Sequence, residues 1–138
     1  MKTLLQIVLA VTMAAPAFAQ ARPPAEALDG LDPVLLVQGK EVQGKSALKA
    51  IHGDFEYLFS SPETKATFER EPDRYSIQLG GMCARMGKSA GGNPSDYLVH
   101  DGRIYIFGSD GCHKKFAEAP EKYLPRPAAP FPSSPRRS

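Results

Sequence analysis

This chain of 138 residues is short of most of what would mark an activity: it has two cysteines, one long apolar run and a formal net charge of only +2. A chain of this length supplies one domain, or two very small ones. The charge matters first. Arg22, Arg126, Arg136 and Arg137 sit towards the ends, while Leu31 to Leu124 holds twelve Lys and Arg against thirteen Asp and Glu. Phosphate-backbone binding requires a concentrated basic face, and none is present, so nucleic acid is excluded as a partner. No nucleophile elbow and no recognisable serine, histidine and acid motif occurs, which removes hydrolytic chemistry. The glycine-rich stretch Gly87 to Asn93 lacks the Lys-Ser ending of a phosphate loop and has the composition of a flexible connection from Gly87 to Ser95.

The apolar run is at the start. Lys2, the run Leu4 to Ala15 and the small-residue stretch Ala17-Phe18-Ala19 predict a signal peptide over residues 1–19. The run is too short to span a bilayer and stops at Pro16, and no later stretch could cross one, so no transmembrane segment is expected in the mature chain. The implied location is periplasmic or secreted. Two flanks, residues 20–30 and 125–138, are proline-rich with little to bury, and are expected to be a disordered linker and a disordered tail. About ninety residues, 31–124, are left to form a small core that would benefit from a staple.

Within that stretch, Asp32 to Val42 suggests a small β-hairpin turning at Gly39-Lys40. Phe55, Tyr57 and Phe59 alternate with Glu56 and Leu58 as in a half-buried strand. Ser60, Ser61, Pro62 and Glu63 are helix-start signals, and Pro72 is a stop, which predicts a helix from about Pro62 to Arg70 with Phe68 as its core anchor. Tyr75 to Leu79 alternates again. Tyr97 to His100 and Arg103 to Phe107 flank Asp101-Gly102, a strong two-residue turn. Ser109 caps a second helix from Asp110 to about Glu118, halted before Pro120.

These features recur without a gap at an offset of forty-eight. His52 falls on His100, Tyr57 on Tyr105, Phe59 on Phe107, Ser61 on Ser109, Phe68 on Phe116, Pro72 on Pro120 and Tyr75 on Tyr123. The pattern predicts a duplicated hairpin-plus-helix unit, too small to bury its own apolar face, with the two copies packed together. At this offset Cys83 falls on Leu35 and Cys112 on Thr64, so only the second copy carries thiols. Shared placement of His52 and His100 before the hairpin turns points to a role in the fold.

Asp32-Pro33-Val34, then Tyr57-x-Phe59-x-Ser61, then Phe68-x-x-x-Pro72-x-x-Tyr75 resembles the YHS domain, a relative of the small metal-binding TRASH modules. The second copy matches through Tyr105-x-Phe107-x-Ser109-x-x-Cys112-x-x-x-Phe116-x-x-x-Pro120-x-x-Tyr123. The resemblance covers nearly all of Leu31 to Leu124. It implies an α+β fold of two tandem treble-clef-like units, copy one over 31–78 and copy two over 79–124. It also implies a zinc or copper site built from cysteines that follow Asp-Pro-Val, precede the motif serine and lie in the first helical turn. Here those places hold Leu35, Ser60 and Thr64 in copy one, and Cys83, Gly108 and Cys112 in copy two. Two thiolates do not complete a tetrahedral site.

The same resemblance brings Cys83 and Cys112 to disulfide distance, and the compartment and cysteine count suit a bridge that would stabilise by roughly 3–4 kcal/mol. Soft-metal binding is the second reading. Met82, Cys83 and Met86 lie close in sequence and His113 follows Cys112, a donor set suited to copper first and zinc second. Methionines serve core packing equally well, and His113 suits an exposed helical place. A thiol-disulfide redox role is the third: Cys112 opens a helix whose dipole favours the thiolate, although Asp110 opposes it and no Cys-x-x-Cys motif is present. The expected protein is an exported, non-enzymatic binding or structural module whose partner is a metal ion or a periplasmic protein.

Overall fold

The structure, a computed structural model, describes residues 22–124; the leader read over 1–19 and the tail read over 125–138 lie outside the described residues. It is a small α+β domain. A three-stranded sheet of order β1-β3-β2 is formed by β1 (Ala25–Glu26), β2 (Lys45–His52) and β3 (Phe55–Phe59). A four-stranded sheet of order β5-β4-β7-β6 is formed by β4 (Met82–Cys83), β5 (Gly87–Gly91), β6 (Asn93–His100) and β7 (Arg103–Phe107). The helices are α1 (Pro33–Leu36), α2 (Pro62–Arg70), α3 (Pro72–Tyr75) and α4 (Asp110–Glu118).

The two long helices start and stop where local chemistry dictates. The Ser61 and Ser109 hydroxyls accept from the N–H groups of Thr64 (3.2 Å) and Cys112 (3.4 Å). Prolines at 72 and 120 bar the helical geometry of the residue before them, so α2 stops at Arg70 and α4 at Glu118. Each helix lays one phenylalanine on its hairpin. Phe68 meets Tyr57 and Phe59 at centroid distances of 4.9 and 5.1 Å; Phe116 meets Tyr105 and Phe107 at 5.5 and 5.1 Å. His52 and His100 stand edge-on to these rings, at 6.1 and 6.2 Å and both at 86°. The histidines thus cover the outer end of each aromatic cluster. Both hairpins carry a register shift at the same place, between Lys45 and Lys49 and between Asn93 and Tyr97.

Four expectations from the sequence need correction. The fold begins before Leu31: β1 pairs in parallel with β3, and Ala27 and Leu28 are completely buried, so residues 25–30 belong to the folded domain and not to a linker. Residues 33–36 form a turn of helix in place of the expected hairpin strand, because the Asp32 carboxylate accepts from the N–H groups of Val34 (3.0 Å) and Leu35 (3.3 Å). Gly87 to Ser95 is paired backbone, not a flexible connection. It needs glycine because a Cβ on Gly92 would lie 2.3 Å from Ile106 Cγ1, as one on Gly44 would lie 2.5 Å from the Leu58 backbone. Tyr75 ends α3, and only Ile77 of the expected Tyr75–Leu79 strand forms a bridge, parallel to Ile104.

The matching of the halves also shifts. Leu28-Asp29-Gly30 and Leu79-Gly80-Gly81 both run through left-handed backbone, with φ of 60°, 52° and 77° against 58°, 62° and 81°. Leucine adopts that region only where surroundings force it. Gly44 donates to Gly30 O at 2.8 Å and Gly92 to Gly81 O at 2.9 Å. Leu28 and Leu79 are fifty-one residues apart, whereas Gly44 and Gly92 are forty-eight apart. Three extra residues therefore sit in the first half between its left-handed turn and its hairpin, and the counterpart of Cys83 is Asp32, not Leu35.

Candidate functional site

Cys83 ends β4, where it bridges Ile106 of β7 on one side and Gly87 of β5 on the other, and it is completely buried. Cys112 lies in the first turn of α4, capped by Ser109, and is 8% exposed. The strand and the helix bring the two residues to 4.0 Å, and both are free thiols. Gly108 is the exposed residue above them; a Cβ there would lie 3.9 Å from Cys83 Sγ and 3.1 Å from Gly91 O.

A third residue joins the pair. Arg85, two places after Cys83, turns back so that Nη1 donates to Cys112 Sγ at 3.6 Å and lies 3.5 Å from Met86 Sδ. Its Nε is buried and has no hydrogen-bond partner among the described residues. The Cys112 thiol is held below its ordinary value, first by the Ser109 hydroxyl, then by the Arg85 guanidinium, with the Cys83 thiol adding to both against the opposing effect of burial. Arg85 is pushed up in turn by Cys112 and by the Tyr123 hydroxyl. Tyr123 stacks on Phe116 at 6.1 Å, which ties the arginine's environment to the aromatic cluster beneath α4.

The other expected donors fare differently. His113 stacks on Phe107 at 4.7 Å and 21°, and its Nδ1 bonds the Asp96 carboxylate on β6, so its ring is engaged away from the sulfurs. Met82 precedes Cys83 on β4, and successive strand residues face opposite sides of a sheet. Met86 is 45% exposed and reaches the group through Arg85 alone. Among the described residues no group of three or more His, Cys, Asp or Glu converges to hold a metal. None of their helices is long and apolar enough to cross a membrane.

At the matching place in the first half, Asp32 is completely buried and satisfied on every side. Beyond its cap to α1, its second oxygen accepts from Ser60 N (2.8 Å), Ser60 Oγ (2.8 Å) and Thr64 Oγ1 (2.6 Å). Ser60 and Thr64 stand where Gly108 and Cys112 stand in the second half. Sequence inspection overlooks Asp32 and Arg85. A signal for Asp32 exists: Leu-x-Gly-x-Asp at Leu28 to Asp32 repeats as Leu-x-Gly-x-Cys at Leu79 to Cys83. Arg85 has no such signal, since an arginine near a cysteine carries no pattern of its own.

No protein-family model, no curated protein and no solved structure matches this chain.

Proposed function

We propose that the chain is an exported, non-enzymatic module of the YHS type, a tandem pair of treble-clef-like units, whose one chemical centre is a Cys83–Cys112 pair that closes to a disulfide in an oxidising compartment. The approach of the two thiols to 4.0 Å carries this reading. The backbone elements that bring them there are fixed by unrelated chemistry: a parallel bridge to β7 for one, a serine-capped helix for the other. Closure brings the sulfurs about 2 Å closer, to bonding distance. The bridge would span about thirty residues of a small domain, where chain-entropy arguments give roughly 3–4 kcal/mol. Support for tandem units comes from the matched caps, aromatic triads and left-handed turns. The leader-like residues 1–19 support export, and export supports oxidation.

Soft-metal binding is a second reading, favoured by the same separation: two thiolates on one tetrahedral zinc at about 2.3 Å each lie about 3.8 Å apart. The residues present do not complete that site. Two thiolates are its only strong donors, and the cationic Arg85 head stands at Cys112 where a metal ion would bring further positive charge. Cu(I), a soft ion that thiolates select, fits the pair better than zinc. Intact mass of protein from an oxidising compartment, with and without reductant, tests the bridge. A difference of two hydrogens is expected, and free thiols there would overturn it. Titration of reduced wild type and Cys112→Ser with Cu(I) and Zn(II) tests the metal reading, which requires stoichiometric, Cys112-dependent uptake.

A further inference from the structure

We propose that the two thiols have separate roles, Cys112 meeting the oxidant and Cys83 resolving it, and that the oxidant this site takes is a small hydroperoxide. The proposal rests on the disulfide reading and goes beyond it by naming the reactive sulfur, its helper and the class of molecule it meets.

The two sulfurs are unequal. Cys83 is sealed between β5 and β7, with no exposure at all. Cys112 lies in the first turn of a nine-residue helix, with exposed Gly111 before it and exposed Gly108 over the pair. Glycine at 108 leaves this face without a side chain, and a Cβ there would press on Gly91 O at 3.1 Å and touch Cys83 Sγ at 3.9 Å. In the first half Ser60 fills that place and hydrogen-bonds the group beneath it. Cys112 is 8% exposed as a residue, which leaves no room for the in-line approach of a protein disulfide and favours a molecule as small as two oxygens.

Arg85 supplies what a peroxide requires. Attack by sulfur leaves charge on the departing oxygen, and a guanidinium at the sulfur stabilises that charge. Arg85 Nη1 is 3.6 Å from Cys112 Sγ, and its buried Nε has donor capacity that no described residue uses. Asp110, Lys114 and His113, which bonds Asp96 on β6, are the other titratable groups within two residues of Cys112 on α4, with Lys115 one place further on.

The chemistry balances without any further reagent. The Cys112 thiolate attacks the terminal oxygen of the hydroperoxide and the O–O bond breaks. The alkoxide or hydroxide that leaves takes up the proton released when Cys112 ionised, and Cys112 becomes a sulfenic acid. The Cys83 sulfur then attacks the Cys112 sulfur, the S–O bond breaks, and water departs with the Cys83 proton. Two thiols are oxidised by two electrons, and one peroxide becomes an alcohol, or water, plus water. The event occurs once per chain. Arg85 is a positioning residue and takes no covalent part.

The test uses the full mature chain, reduced and metal-free, with hydrogen peroxide as the probe. Wild type should lose the mass of two hydrogens, with a Cys83–Cys112 cross-link in the peptide map, at least about tenfold faster than free glutathione oxidises at the same pH. Cys83→Ser should instead gain one oxygen at Cys112, captured by dimedone, while Cys112→Ser gives no label on that timescale. Arg85→Gln should slow the first step at least about fivefold and Arg85→Lys should restore part of it, with melting curves run beside both. Oxidation no faster than glutathione, or equal labelling of the two single variants, would overturn the proposal. Diamide, a general thiol oxidant, separates the two readings. A bridge formed by diamide but not preferentially by peroxide leaves the disulfide and removes the relay; no bridge with either removes both.

Discussion

The first half of this domain holds a carboxylate where the second holds a thiol, and the two solutions differ in what they ask of their surroundings. Asp32 is complete as it stands: five donors from α1, from the loop after β3 and from α2 converge on its two oxygens. It ties the start of its unit to the helix at all times and in any redox condition. Cys83 and Cys112 join the same two parts of the second unit but make no bond of comparable strength while reduced. The thiol half also loses cover, with Gly108 in place of Ser60, and gains a cation, Arg85. Matching positions therefore hold a permanent tie in one half and a conditional one in the other.

Four expected outcomes would break or sharpen that contrast. The largest concern what the halves share. Phe68→Ala and Phe116→Ala each remove a fully packed ring and should cost about 3–5 kcal/mol, within about 1 kcal/mol of each other, in urea denaturation. A large inequality would show that one aromatic cluster supports the domain alone. Next comes the contrast itself. Asp32→Ala strands the buried N–H of Val34 and the partly buried N–H of Ser60 and should cost about 3 kcal/mol. Under reductant Cys83→Ala should cost only about 1–2 kcal/mol, since no strong bond is lost. Equal losses would mean that the reduced thiol pair is as strong a tie as the carboxylate.

Tyr57 marks a smaller asymmetry. Its hydroxyl accepts from Ile77 N at 2.9 Å at the seam between halves, and burial pushes it up from 10.0 to about 12. A raised acid stabilises the fold fully below the unfolded value and loses that contribution as pH climbs from 10 towards 12. Tyr57→Phe should cost about 1–3 kcal/mol at neutral pH, through the orphaned N–H, and should flatten the alkaline fall in melting temperature. Tyr105→Phe should strand no N–H and should flatten that fall less, because burial pushes the Tyr105 hydroxyl up as well. Last, Ser61→Ala and Ser109→Ala each remove one helix cap and should cost about 1 kcal/mol by thermal unfolding.

Much of the scaffold was legible because its signals are local. Serine caps and proline stops delimit α2 and α4, and Asp101-Gly102 marks the second hairpin. What escaped depends on distance along the chain. β1 is two residues, Ala25 and Glu26, with no period to detect, and its pairing becomes visible only once β3 lies beside it. Asp32 is visible in the sequence as the acid of Asp-Pro-Val, but its role as a tie appears only once five donors are folded around it. A gap-free comparison set Cys83 against Leu35, because the three extra residues of the first half lie in a stretch with no shared landmark of its own. The thiol pair was reached through the family resemblance, whereas Arg85 required the turn at Ala84-Arg85-Met86 that sends the chain back along β4.

Strand β7 has a further consequence. Tyr105 and Phe107 project into the cluster beneath α4, while Ile104 and Ile106 project into the core built on Tyr57, Phe59 and Phe68. A single strand thus forms the wall of two rooms. Neither half can melt without opening the other, so the domain should unfold in one cooperative transition. Amide protons of β7 should then be among the slowest to exchange, opening only when the whole molecule does.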